Sequence, residues 1–158
     1  MKALAVVLQQ PEQLSLRHLD LAEAGDEDVV VDIEWSGIST GTERLLWTGR
    51  MPDFPGMGYP LVPGYESVGR ITHAGTRSGA TVGARVFVPG AKCFGDVRGL
   101  FGGAASRVVL PAARTIGIAE GQAVPPALRT QLSALEDDQK KRATRSLRDG
   151  IDRVLTDL

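Results

Sequence analysis

Runs of apolar and β-branched residues, separated by turn residues, dominate the first 110 positions of this chain. Short apolar segments bounded by Gly, Pro, Asp and Ser are typical of β-strands. The pattern predicts a hairpin around Pro11 and a mainly β (α+β) domain over about Met1 to Ala119. The predicted strands cover residues 3–8, 14–21, 28–34, 67–73, 85–89 and 106–110.

The third predicted strand has the clearest period of two. Val29, Val31, Ile33 and Trp35 occupy alternate positions, and alternate side chains of a strand point to the same face of the sheet. This spacing predicts that Trp35 belongs to the core.

Residues 37–66 are rich in Gly, Pro, Ser and Thr, which favour tight turns over packed helices. A short helix is expected at 43–47, with Thr42 as its cap and Gly49 at its end. Residues 51–60 hold three prolines and two glycines and are expected to form a loop. Long loops of this kind often carry binding sites.

From Pro125 onward the pattern changes. Apolar residues such as Leu147, Ile151 and Leu158 follow one another at helical spacing, which predicts an amphipathic helical segment over 125–158. Its apolar face requires cover. Two surfaces could bury this apolar face: the surface of the β domain, or a second copy of the chain in a homodimer.

The charge balance argues against a nucleic-acid or anionic-membrane partner, because 18 basic and 19 acidic residues leave a net charge of −1. The single cysteine, Cys93, rules out an internal disulfide and fits a reducing cytoplasm. The amino terminus lacks the pattern of a signal peptide. No apolar run approaches the roughly 20 residues that cross a bilayer. A cytoplasmic, soluble protein is expected.

Five short motifs follow one another in a recognisable order, at residues 28–34, 40–43, 63–70, 82–88 and 102–106. Their order resembles the GroES-like catalytic domain of the medium-chain dehydrogenase/reductase superfamily, a partly open β-barrel. Within it, residues 36–70 most resemble the bacteriochlorophyllide a dehydrogenases. That family oxidises the 3-(1-hydroxyethyl) group of a bacteriochlorophyllide to acetyl with NAD.

Superfamily members continue into a nucleotide-binding domain, which holds the cofactor pyrophosphate at a Gly-rich turn before a helix. No Gly-x-Gly-x-x-Gly followed by a helical pattern occurs in this chain. The resemblance therefore implies NAD for the full-length family and no cofactor bound by this chain alone. A fragment, an engineered deletion and a stand-alone substrate domain all remain open.

In zinc-dependent relatives, a Cys and a His from two loops bind the catalytic metal. The corresponding residues here are Thr40, or Ser39 with a one-residue insertion, and Tyr65. Hydroxyl groups do not replace thiolate and imidazole as zinc ligands. A set made of Cys93, Glu66 and His73 matches no zinc template. The sequence predicts no catalytic zinc.

Without a metal, side chains must remove the proton of the substrate alcohol. Thr42 matches the hydroxyl residue that relays this proton in the relatives, and Tyr65 and Glu66 are its candidate acid/base partners. The structural alternatives are a helix cap for Thr42 and a loop-bracing role for Glu66.

The resemblance implies a pigment substrate, and large flat ligands bind in broad apolar pockets with a few polar anchors. Aromatic and Met side chains adapt well to such ligands. The predicted substrate-binding residues are Thr40, Trp47, Met51, Phe54, Met57 and Tyr59. Two other interpretations stay open: a non-catalytic GroES-like binding or assembly module, and a fragment of a zinc-free quinone reductase.

Overall fold

Strands are the main regular elements of the computed structural model, which describes residues 1–99 and 101–119. The predicted helical tail at 125–158, and with it the homodimer, lies outside the described residues. The elements are β1 (Lys2–Gln10), β2 (Gln13–Asp20), β3 (Asp28–Ser36), α1 (Thr42–Trp47), β4 (Ser67–Ala74), β5 (Arg85–Val88), β6 (Arg107–Pro111), a 3-10 turn (Ala112–Arg114) and β7 (Ile116–Gly117). In this part of the chain, no helix is both long and apolar enough to span a membrane.

The strands form two open antiparallel sheets. β1 pairs with β2 as the predicted hairpin, and the larger sheet has the order β6-β3-β4-β5-β7. Backbone bonds join the sheets where β1 meets the segment before β6: Val6 N–H donates to Ala104 O at 2.9 Å, and Ser106 N–H donates to Leu4 O at 2.8 Å. The prediction of a mainly β domain is confirmed.

The core lies between these sheets, but β3 does not follow its predicted alternation. Val29, Val30 and Val31 are all buried, whereas Trp35 is 71% exposed. The pairing of β3 with β4 shifts register between Val30 and Val31 and again between Ile33 and Trp35. Such irregularities re-aim the side chains beyond them. The prediction that Trp35 lies in the core is therefore wrong.

A second apolar cluster joins α1 and the following loop to β1. Leu8, Leu46 and Leu61 form its buried centre, and Met51, Met57, Tyr59 and Phe101 pack around them. Leu8 and Leu61 also exchange two backbone hydrogen bonds, at 2.9 and 3.0 Å. This cluster fixes the helix that begins at Thr42.

Helix α1 ends as predicted but begins differently. Gly49 has a φ of +67° and donates to Leu46 O, while Arg50 donates to Leu45 O; together these bonds satisfy the last carbonyls of the helix. At the other end, Gly41 is the N-cap residue and no side chain caps the helix. The prediction that Thr42 is the cap is wrong, because its hydroxyl lies inside the first turn.

Candidate functional site

Two loops bring the predicted hydroxyl residues together. Gly37 N–H donates to Glu66 O at 2.6 Å, so the turn after β3 lies against the turn before β4. Across this contact, Tyr65 Oη donates to Thr42 Oγ1 at 3.1 Å. The side chains lie 23 positions apart in the chain and meet at hydrogen-bonding distance.

Gly64 places Tyr65 in this position. Its φ is +91°, a conformation that residues with a Cβ rarely adopt. A Cβ at Gly64 would lie 2.6 Å from Ala104 N. The carbonyl oxygen of Gly64 accepts a hydrogen bond from Gly103 N–H at 2.7 Å. The turn therefore packs directly on the segment that precedes β6. Tyr65 then stacks at a tilt on Phe101, with ring centroids 5.2 Å apart.

The oxygen of Thr42 accepts two hydrogen bonds, one from Tyr65 and a longer one from Ser39 Oγ at 3.5 Å. A hydroxyl oxygen has two acceptor positions and one O–H donor. Both acceptor positions of Thr42 are thus used, and its own O–H remains to donate. The hydrogen bonds from Ser39 and Tyr65 therefore converge on the Thr42 oxygen.

Glu43, which follows Thr42 on α1, is a residue that the sequence reasoning did not single out. It is half-buried, and its Oε2 is buried with no hydrogen-bond partner among the described residues. Burial raises the pKa of Glu43 above its ordinary value, and the nearby charge of Glu66 raises it further. Backbone amides of Glu43, Ser39 and Gly64 act in the opposite direction. The available signal in the sequence was an acidic residue directly after Thr42, the predicted relay residue.

Glu66 lies at the outer edge of the same cluster. It is exposed, and a Cβ on Gly37 would lie 2.9 Å from its Oε2. Gly37 thus leaves room for this carboxylate beside Glu43. Two hydroxyls and two carboxylates therefore share one small region.

The predicted substrate-binding residues divide into two groups. Thr40 is exposed, and Trp47 and Phe54 are 38% and 37% exposed, so a ligand has access to them. Met51, Met57 and Tyr59 instead pack on the second apolar cluster. The Tyr59 hydroxyl donates to the carbonyl of Leu46.

The donor types at this site do not fit a catalytic zinc ion. Thr40 and Tyr65 supply hydroxyls where zinc-dependent relatives supply thiolate and imidazole, and the Tyr65 hydroxyl is bonded to Thr42. Cys93 is buried and its Sγ accepts from Val109 N–H at 3.4 Å, whereas His73 is exposed on β4. No three His, Cys, Asp or Glu side chains converge for a metal within residues 1–99 and 101–119.

Comparison with known proteins decides the family. Residues 25–120 match the alcohol dehydrogenase GroES-like domain. The chain belongs to this family. The order of its motifs and the geometry of its two sheets agree with that membership.

Two curated relatives are more specific. The chain is 52% identical over 123 residues to the 2-desacetyl-2-hydroxyethyl bacteriochlorophyllide A dehydrogenase of Cereibacter sphaeroides, covering 75% of this chain and 39% of that protein. It is 53% identical over 115 residues to the protein of the same name from Rhodobacter capsulatus, covering 72% and 37%. The resemblance to this group of dehydrogenases is confirmed.

A solved structure shows the same domain in a longer protein. It is described as a zinc-binding dehydrogenase from Sinorhizobium meliloti bound to NADP, with 27% identity and a TM-score of 0.59. The match covers 76% of this chain and 39% of that one. This GroES-like chain thus spans about two fifths of the length of the relatives it matches.

The raised pKa of Glu43 gives a testable dependence of stability on pH. The folded protein binds the Glu43 proton more tightly than the unfolded chain, in which Glu43 has its ordinary pKa of 4.5. The free energy of unfolding therefore falls as the pH rises from 4.5 through the folded pKa. The variant Glu43→Gln has no ionisable group at this position, so this pH-dependent loss of stability is absent from it. We expect the variant to be more stable than wild type near pH 7, with the advantage gone below pH 4.5. Urea unfolding at both pH values measures this difference.

Glu23→Gln, which removes an exposed carboxylate outside the site, controls for the change in net charge. An equal shift of stability at both pH values for Glu43→Gln contradicts the expectation.

Proposed function

We propose that this chain is the substrate-binding and catalytic half of a zinc-independent, NAD-dependent dehydrogenase in the cytoplasm. The proposed substrate is a bacteriochlorophyllide, whose 3-(1-hydroxyethyl) group is oxidised to acetyl in bacteriochlorophyll biosynthesis. The observation that carries this proposal is the hydrogen bond from Tyr65 Oη to Thr42 Oγ1, because it joins the residue expected at a zinc-ligand position to the predicted relay hydroxyl. The names of the two curated relatives support the substrate.

Oxidation of an alcohol removes one hydride and one proton. NAD, when bound in the full-length family, would supply the hydride acceptor for this oxidation. This chain's residues handle the proton: Tyr65 donates to Thr42 and accepts no hydrogen bond from the described residues, so its oxygen is free to receive the alcohol O–H. As that proton arrives, the Tyr65 proton passes to Thr42 and the Thr42 proton leaves through its unused donor.

A carboxylate completes the path. Glu43 is adjacent to Thr42 in the first turn of α1, and its buried Oε2 has no partner in the described part of the chain. Since burial favours the protonated form of Glu43, this carboxylate takes up a proton readily. Glu66, exposed beside it, is the exit to solvent.

The pigment surface is proposed to include the exposed faces of Thr40, Trp47 and Phe54. The two partly exposed aromatic rings supply flat apolar contact area for the pigment. Met51, Met57 and Tyr59 support this surface from beneath through the second apolar cluster.

Titration of the chain with 3-hydroxyethyl bacteriochlorophyllide tests this proposal. We expect a saturable shift of the pigment absorbance bands, weakened by about tenfold in a Trp47→Ala, Phe54→Ala double variant, because each truncation removes buried aromatic contact. Leu16→Ala, which removes an exposed apolar side chain on β2, is the control. Absence of a saturable shift, or an equal loss in the control, is the result expected of a non-catalytic assembly module or a quinone reductase fragment.

A further inference from the structure

A cavity of about 240 Å³ lies where the loop after β5 meets the loop before β4. Phe94 and Val97 are buried and form its apolar part, three glycines complete the backbone lining, and the side chains of Lys92 and Arg98 border it. None of the residues in the proton path lines it.

Lys92 and Arg98, the two cations of this cavity, have no acidic partner in the part of the chain that the structure describes. Both are exposed, and neither forms an ion pair with any residue in 1–99 or 101–119. Asp96 lies between them in sequence without pairing to either. Two unpaired positive charges bordering one concave surface attract an anion, since no internal carboxylate neutralises them.

Arg98 is held in place for such a role. Its Nη1 donates to Tyr59 O at 3.0 Å, and its Cζ lies 3.0 Å from the position that a Cβ on Gly58 would occupy. A guanidinium carries five N–H donors, and one of them is used here. The remaining N–H donors of Arg98 can bind a carboxylate through two parallel hydrogen bonds in the plane of the guanidinium.

The size of the cavity limits its ligand. Sites that enclose a whole drug-sized molecule measure roughly 300–1,000 Å³, so about 240 Å³ accommodates a side arm and not a macrocycle. An anionic arm on a larger ligand fits both the volume and the charge.

We propose that Lys92 and Arg98 bind the carboxylate arm of the pigment; this inference rests on the proposed function. A chlorophyllide is the free acid of a chlorophyll, so it carries a carboxylate on one edge of the ring and the hydroxyethyl group on another. Arg98 bridges to Leu61, four residues before Tyr65, and four residues span at most about 14 Å. The cavity and the hydroxyl pair are therefore joined by a short stretch of chain, and in this proposal one macrocycle bridges them.

The test compares the pigment acid with its methyl ester, which keeps the ring and removes the charge. We expect the wild-type chain to bind the acid roughly tenfold to a hundredfold more tightly than the ester, the range for hydrogen bonds to a charged group. In the Lys92→Gln, Arg98→Gln double variant this preference disappears and the affinity for the ester is unchanged. Arg114→Gln removes an exposed charge outside the cavity and keeps the preference.

Equal affinity of the wild-type chain for acid and ester overturns the proposal, as does an equal loss of both ligands in the double variant. Absence of any pigment binding by the wild-type chain contradicts the proposed function instead. In that case, anion binding at the cavity is tested with propionate alone. Propionate-dependent NMR shifts of the Gly95 and Gly99 amides that vanish in the double variant support an anion site. No shift at these amides overturns it.

Discussion

We expect Tyr65→Phe to lower kcat by about 10²- to 10⁴-fold, the usual contribution of a positioned acid or base. The ring stays against Phe101, so the packing at 5.2 Å is retained while the hydrogen bond to Thr42 is lost. Thr42→Val, which has nearly the same shape, removes the other oxygen and has a similar effect. Turnover with NAD and the hydroxyethyl pigment is measured in the complete enzyme that carries this domain.

Thr72→Val is the matched control, because Thr72 is an exposed hydroxyl on β4 outside the site. Its turnover stays at the wild-type value. Full activity in both Tyr65→Phe and Thr42→Val removes the two residues from the mechanism. Stoichiometric zinc in the active enzyme, lost together with activity in Tyr65→Phe, contradicts the metal-free proton path.

Replacing Leu46 with Ala costs about 2–5 kcal/mol of unfolding free energy, the range for a fully buried leucine. Leu46 is 0% exposed and packs with Leu8 and Leu61 in the cluster that fixes α1 to β1. Truncation leaves a cavity beneath the helix that carries Thr42 and Glu43. Urea unfolding of the chain, monitored by tryptophan fluorescence because Trp47 ends the same helix, gives the difference.

The neighbouring residue provides the control. Leu45 is 39% exposed on the same helix, so Leu45→Ala changes the unfolding free energy by only about 0.5 kcal/mol. Equal losses for the two leucines contradict the assigned packing of α1.

The strands and the main loop were predictable because local pattern determines them. The apolar runs of β1, β4, β5 and β6 correspond closely to their predicted positions, and the Pro- and Gly-rich residues 51–60 form no helix or strand. Gly49 was correctly expected to end α1. The catalytic and pigment-binding roles stay predictions, as do the helical tail and its homodimer.

Errors arose where distant segments decide the outcome. Period-two spacing placed Trp35 in the core, but register shifts against β4 turn it outward. Thr42 had the chemistry of a helix cap, yet Tyr65 and Ser39 bind its oxygen instead. In both cases a tertiary contact overrides a local preference that is correct in isolation.

By itself, the sequence determined the β-rich domain, its GroES-like family and the replacement of zinc-type ligands by hydroxyl residues, because these properties depend on residue identity and short-range order. Only the tertiary structure decided that Thr42 and Tyr65 bond to each other, that a carboxyl oxygen of Glu43 is buried beside them, and that Lys92 and Arg98 border one cavity. Burial and charge proximity depend on which loops the sheets bring together, and no local pattern encodes that pairing.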